Sequence, residues 1–423
     1  MFKKTEQIAW GVLILAFLTC IGLTIGTPLT IRWYLLNNTR PLDVRLQPRN
    51  GTVTQQKPRS TIKAVVPGDT EVTRDDIIEL SNDGSAFLLF YKGMSGGNNT
   101  DQPPQPLITV QLNGDTKITV EHAWTPRFTM SKLPHAVTLN VQHGANLHIT
   151  VEGNDRSTRL YLQTPNGTIR MEEGTYAAVV GAARTEFTVI SGRAHLSDPA
   201  TGEEPVLIAS QHTELTAEGI GEIWIGERNV LRNRNGGFEA PLEEYWKIEH
   251  VHSPEEPQGT VRQIRIGNDR QIVLFERFGR SHAQTIIKQE IGQDIRGAKS
   301  LYVRARVRVD TQTLGVCGSL GTECPIMIRI YFTDQTGNPR REWLQGFYAL
   351  PGTDSPLCLS CEWKAEHIQV PQASVWYNYE SDDLLPLFLA QNIEPVSIES
   401  VEVYASGHIY SSAIDEIAIL VGE

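Results

Sequence analysis

Four cysteines fall in the last quarter of the chain, Cys317 and Cys324 in CGSLGTEC and Cys358 and Cys361 in CLSC. Two such pairs brought together can hold one zinc ion as four thiolates, or they can close two disulfides outside the cytoplasm. Spacing alone does not pair them. Aromatic rings gather in the same region, in REWLQGFYAL (Trp343, Phe347, Tyr348) and SVWYNYES (Trp376, Tyr377, Tyr379). Such rings can stack on pyranose faces beside polar groups that reach sugar hydroxyls, or they can fill a sandwich core. Strand alternation puts Trp376 and Asn378 on one face and Tyr377 and Tyr379 on the other, one of them core. The ligand-contact candidates are Trp343, Tyr348, Trp376, Tyr377 and Tyr379. His250 and His252 in EHVHS share a strand face and could bind a metal, but no third ligand is identifiable. They read as outer-face residues, and His143 and His148 as residues flanking a turn. There is no G-x-S-x-G elbow, H-E-x-x-H pair or P-loop. The acidic pairs sit in turns such as PEEP and GEEP. A non-enzymatic protein is therefore expected.

These residues belong to a chain of 423, long enough for more than one core. A net charge of −11 lacks the electrostatic footprint of a general nucleic-acid binder. Arg304, Arg306 and Arg308 alternate in LYVRARVRVD and read as the solvated face of a strand.

From Ile8 to Ile31 the chain carries no charge over 24 residues, enough to span a bilayer as a helix. Trp10, Trp33 and Tyr34 sit near its ends as interfacial anchors, and Pro28 bends its last turn. Residues 1–36 read as a retained signal anchor rather than a cleaved signal peptide. Lys3 and Lys4 keep the N-terminus inside, Arg32, Arg40, Arg45 and Arg49 argue the reverse, and the short N-terminal tail decides for an exported C-terminal part. The proline-containing stretch 37–60 reads as a linker holding the next domain a few nanometres off the membrane, at about 3.3 Å per residue.

Between residues 61 and 227 almost every segment is short, β-branched and bounded by turn residues: AFLLFY, LITVQL, TKITVEH, TRLYLQT, TEFTVISG. This is the grammar of an all-β sandwich or roll. The turns Gly68–Asp69, Asp83–Gly84–Ser85, Thr164–Pro165–Asn166–Gly167 and Gly174–Thr175–Tyr176, with Val189 to Gly192 and Ser210–Gln211, resemble the extracytoplasmic FecR domain. The matching residues are turn formers and core apolars, so the resemblance speaks to fold. FecR regulators carry a folded cytoplasmic segment that meets a sigma factor. About seven residues stand there in this chain, so sigma-factor control by this chain alone is not expected.

Residues 228–423 open on NGGFE followed by aromatics, which resembles the first strand of galactose-binding-like jelly rolls, the fold of many carbohydrate-binding modules. Residues 281–310, the strand-like CPIMIRIYFTDQTGN and the closing VSIESVEVYASGHIYSSAIDEIAILVGE fit the same pattern. The resemblance implies a structural calcium between first and last strands, with Glu239 and Asp415 at the acidic positions. Calcium wants six to eight oxygens; the alternative leaves Glu239 capping a turn and Asp415 in solvent.

The expectation is an all-β protein with two β-sandwich-type domains, FecR-like and jelly-roll, after one transmembrane helix. It is membrane-anchored with its large C-terminal part outside, without nucleic acid as partner, and binds a glycan through the jelly roll. The alternative is envelope signalling or assembly, in which the FecR-like domain binds a partner protein.

Overall fold

The computed structural model describes residues 2–93, 105–153, 156–197, 202–266, 270–317, 321–337, 341–350, 352, 366–371 and 375–422. It opens with one helical stretch, Phe2–Ile21, a π-helical turn Gly22–Gly26, and Thr27–Asn37. Pro28 supplies no N–H for the Thr24 carbonyl, which favours the widened turn. Thr19, Thr24 and Thr30 each fold their hydroxyl back onto the carbonyl four residues earlier. Apolar side chains along it, Leu15 and Phe17 among them, face no other part of the protein. Ala9–Asn37 is long and apolar enough to cross a membrane.

Among the described residues, the strands from Thr39–Pro41 to Trp224–Ile225 form one barrel-like unit of two ladders, with edge strands such as Thr39–Pro41 and Val206–Ile208. Its centrepiece is the 17-residue strand His135–Val151. The first part of that strand pairs with Lys117–Pro126 and, in parallel, with Thr158–Thr164; the last part pairs with Ile108–Asn113 and Gly174–Val180. Register shifts between Val141 and Leu147 let one strand serve both ladders. Inward Leu88, Val110, Ile149, Leu162, Phe187 and Val189 fill the space between.

The expected linker 37–60 is part of this barrel. Thr39–Pro41, Asp43–Asn50 and Val53–Gln56 are strands, and Leu42, Val44, Leu46 and Val53 are buried. Alternation of these apolars with Asp43, Arg45 and Gln47 outweighs the prolines: Pro41 ends the edge strand Thr39–Pro41, and Pro48 falls where the Asp43–Asn50 ladder shifts register.

Among the described residues, ten strands between Arg228 and Gly422 form the second sheet. Two very long strands run through it, Arg270–Asp294 and Pro395–Gly422. They pair with one another on both sides of an interruption between Phe278 and Ala283, beside Gly407. Gly407 holds φ +151 and a Cβ there would meet the Glu323 carboxylate at 2.8 Å, so the kink needs glycine. Ser300–Gln312 and Tyr377–Glu380 continue one half, and Ile326–Asp334 and Arg341–Tyr348 the other. The folded-over sheet buries Val303, Ile328, Trp343, Phe347, Val401 and Ile419 as the second core. Among the described residues the protein is thus mostly β, with the apolar helix and short helices such as Leu242–Tyr245 and Leu384–Leu389, as expected from the strand grammar.

The opening NGGFE forms turns rather than a first strand. Asn235 and Phe238 both adopt left-handed φ, 57° and 54°. The Asn235 side chain ties itself to both backbone groups of Ala240. Phe238 is fully buried and tilts over Trp246, ring centroids 5.6 Å apart. The Trp246 indole N–H donates to the Asn235 carbonyl. The stretch therefore plugs the open end of the second core. Phe238→Ala is expected to cost about 3–5 kcal/mol, read as a lowered midpoint in chemical denaturation of the full chain.

Candidate functional site

Where the two β units meet, charged groups are withdrawn from water. Arg306 is 2% exposed. Its Nη1 donates to Asp415 Oδ2 at 2.8 Å and its Nη2 to Glu152 Oε1, which lies across the junction on the barrel. Arg270 Nε meets the same Asp415 oxygen at 2.5 Å, and its Nη2 donates to the barrel's Thr175 hydroxyl at 3.3 Å. Asn378 and Thr150 hydrogen-bond to one another across the same seam. The Trp376 ring lies under both Arg306 and Arg308, 4.5 and 4.9 Å from the guanidinium carbons. Burial pushes the Arg306 guanidinium down to about 10, opposed by Asp415, so it stays charged at neutral pH. The three alternating arginines are thus no solvated face: Arg306 and Arg308 are buried, and Arg304 pairs with Glu380.

Beside this seam opens a cleft of about 1170 Å³. The second unit lines it with Trp343, Gln345, Tyr348, His367, Tyr377 and Tyr379, and the barrel with Arg49, Asn50, Phe87, Gln111 and Asn113. The volume exceeds the usual range of small-molecule sites, roughly 300–1000 Å³. Tyr377 faces Phe87 across the junction at 6.2 Å and Phe347 behind it at 6.4 Å. The Tyr379 hydroxyl donates to Gln345 Oε1 at 3.3 Å, and Gln345 Nε2 in turn donates to the Glu366 carbonyl. Gln111 is buried in the wall, its side chain hydrogen-bonded to the Tyr377 hydroxyl. Asp382 and Glu366 are exposed at the rim, while Asp383 is spent on the N–H groups of Leu301 and Leu385. Burial lowers the Arg49 guanidinium, which lies over the Phe87 ring at 5.6 Å. Trp343, Tyr348 and Tyr379 are each less than a tenth exposed and Tyr377 is half-buried, so the cleft offers a polar ligand its amides and carboxylates and a limited ring surface, chiefly that of Tyr377.

Of the five aromatic candidates, Trp343, Tyr348, Tyr377 and Tyr379 line this one cleft. Trp376 does not: strand alternation turns it to the arginine seam, where it is 2% exposed. The barrel residues escaped sequence reasoning. The one signal was Gln111, a lone amide inside the apolar LITVQL. Asp415, the expected calcium ligand, has its carboxylate engaged by two guanidiniums, and Glu239 is exposed. Among the described residues no three His, Cys, Asp or Glu side chains form a metal-holding group. Cys317 and Cys324 are bonded to one another, which removes both from any four-thiolate zinc site; Cys358 and Cys361 lie outside the described residues. His252 and His143 hydrogen-bond neighbouring backbone carbonyls, and His250 is half-buried in the strand Lys247–Val251.

No family model matches the chain, those for FecR-like and galactose-binding-like domains included, and no curated protein matches it. Solved structures show distant likeness. The enzymatically active domain of bacteriophage CBA120 tailspike protein 4 is 13% identical with a TM-score of 0.28, over 46% of this chain; the chain spans only 21% of that structure's length. A family 11 carbohydrate-binding module from Clostridium thermocellum, in complex with a β-1,3-1,4-mixed-linked tetrasaccharide, is 9% identical with a TM-score of 0.27, over 44% of this chain and 93% of the module. A candidate anti-sigma factor from Parabacteroides distasonis is 11% identical with a TM-score of 0.23, over 42% of this chain and 68% of that one. At scores this low none of them says what this chain binds.

Two histidines beside the cleft and seam make the junction acid-sensitive. Burial holds both His148 and His367 down to about 4. His367 Nδ1 accepts the Gly346 N–H, which needs the neutral ring at that nitrogen. A lowered histidine favours the folded state while both states are neutral. That contribution is lost as pH falls through the unfolded value, about 6.5, toward 4, at about 1.4 kcal/mol per unit for each ring. Stability is expected to fall steeply between pH 6.5 and 4, with His148→Asn removing about half of that loss in urea titrations. Asp415→Asn leaves the buried Arg306 and the half-buried Arg270 without their shared carboxylate and is expected to cost about 3–5 kcal/mol, measured the same way at pH 7.

Proposed function

We propose that the protein is a membrane-anchored, extracytoplasmic, non-enzymatic binding protein that takes a glycan in the cleft between its two β units. The observation that carries this reading is the cleft itself, large enough for an oligosaccharide and lined by Trp343, Tyr348, Tyr377 and Tyr379 beside Gln345, Gln369, Asn50 and Asn113. Rings present C–H-binding faces to sugars, and amides and carboxylates match their hydroxyls. Retention at the membrane is supported by an apolar helix whose large apolar side chains from Trp10 to Ile31 are exposed. The Cys317–Cys324 disulfide supports an oxidising compartment. FecR-like and galactose-binding-like ancestry for the two units is part of the same reading, with the division falling near residue 227.

A second reading, in which the barrel binds a partner protein, has one observation in its favour. The short edge strand Val206–Ile208 pairs only with Arg193–Ser197 and exposes Val206 and Ile208, near exposed Ile225. Such an edge can accept a strand from another chain.

The two separate cleanly. The full chain in detergent is screened on a polysaccharide and glycan panel. Saturable binding that falls at least tenfold in Tyr377→Ala, and is unchanged in Ile208→Lys, is the expected result. No glycan bound by a cooperatively folded chain contradicts the first reading, and loss of a co-purifying protein in Ile208→Lys would carry the second.

A further inference from the structure

The apolar helix and the barrel are joined without slack. Helix ends at Asn37 and barrel strand begins at Thr39. The joint is hydrogen-bonded on both sides: Asn38 N–H donates to the Tyr34 carbonyl at 2.9 Å, Arg127 N–H to the Asn38 carbonyl at 2.9 Å, and the Ser131 hydroxyl to the Leu36 carbonyl at 2.6 Å. The Tyr34 and Phe128 rings meet at 5.9 Å. The loop 127–133, RFTMSKL, thus lies alongside the last turn of the helix.

That loop is shaped from behind. The Arg156 guanidinium donates to the carbonyls of Thr129, Ser131 and Leu133, closing the backbone over one cation. What the loop turns outward is apolar and basic: Met130 is 67% exposed, and Arg127 and Lys132 are exposed on either side. Residues 32–42 and 123–135 together carry Arg32, Arg40, Arg127 and Lys132 and no Asp or Glu, in a chain of net charge −11. A positive collar therefore surrounds the end of the helix.

Length places the collar. Ala9–Asn37 has 29 residues, about 43 Å at about 1.5 Å per residue. That equals the full bilayer with its headgroup layers, about 40–45 Å. Leu36, gripped by Ser131, is then level with the outer headgroups, and so is the loop.

We infer that loop 127–133 seats the barrel on the outer leaflet, with Met130 entering the interface and Arg127 and Lys132 on the phosphates of anionic lipids. This rests on the reading of the helix as a retained anchor. Basic residues near a membrane surface are drawn to anionic lipid, and an apolar tip gains by leaving water. The rigid joint makes the contact a fixed seat rather than one position of a swinging domain, so the cleft is held at one height above the membrane.

The test uses the full chain. Carbonate-washed cell membranes are examined first, then nanodiscs of phosphatidylcholine with and without phosphatidylglycerol. A photo-crosslinking p-benzoylphenylalanine replaces Met130, or as control Phe278, which is 74% exposed on the second unit. Lipid adducts from position 130 are expected several-fold above those from 278, to rise with phosphatidylglycerol, and to drop in the Arg127→Glu/Lys132→Glu variant. A chain retained in the membrane with equal adducts at both positions, or with adducts indifferent to anionic lipid, overturns the seat alone. A chain released from the membrane overturns the anchor and the seat together.

Discussion

The buried charge cluster at the seam is the constraint on which the rest depends. Arg306 and Arg270 share the Asp415 carboxylate, and both reach across to the barrel through Glu152 and Thr175. Charges taken out of water are expensive, and their mutual attraction offsets that expense only in one geometry. The second unit can therefore meet the barrel with little freedom, because sliding by one residue would strand a guanidinium among apolar groups. Trp376 completes the arrangement by laying its ring against Arg306 and Arg308, whose guanidiniums also bond Asp415 with Glu152 and Asp310 respectively.

The cleft follows from that fixed seam. Phe87 and Tyr377 meet across it, so the space alongside is walled by both units and keeps its shape without a ligand. Phe87, Gln111, Gln345 and Tyr377 are positioned by strands, which limits the entropy lost on binding there, while Gly315, Gly352 and Ser381 to Asp383 border the cleft from loops. The same rigidity continues downward. With the helix gripped at Tyr34, Leu36 and Asn38, helix, barrel and cleft form one continuous support.

Much of this was legible in the residues. Short β-branched segments between turns announce the two β units, and the alternation in SVWYNYES separates Trp376 from Tyr377 and Tyr379. The seam was not legible, for a physical reason. Alternating arginines look the same whether the face opposite is water or another domain, and the partner carboxylate Glu152 lies 154 residues away from Arg306. The barrel wall of the cleft was hidden likewise, apart from Gln111. The supposed linker is a different failure, since the period-two pattern of Leu42, Val44 and Leu46 was present and the prolines drew attention from it. In NGGFE, the residues that looked like a first strand serve as a plug, because Asn235 and Phe238 take left-handed conformations that no strand allows.

The measurement that bears most directly on this account is calorimetric titration of the best-binding glycan into the full chain and two variants, one from each wall. Gln111→Ala alters the barrel wall and Gln369→Ala the wall of the second unit. A cleft shared by both units predicts that each variant weakens binding at least several-fold while both melt as the parent does. Binding that ignores Gln111→Ala and Gln369→Ala alike would contradict it.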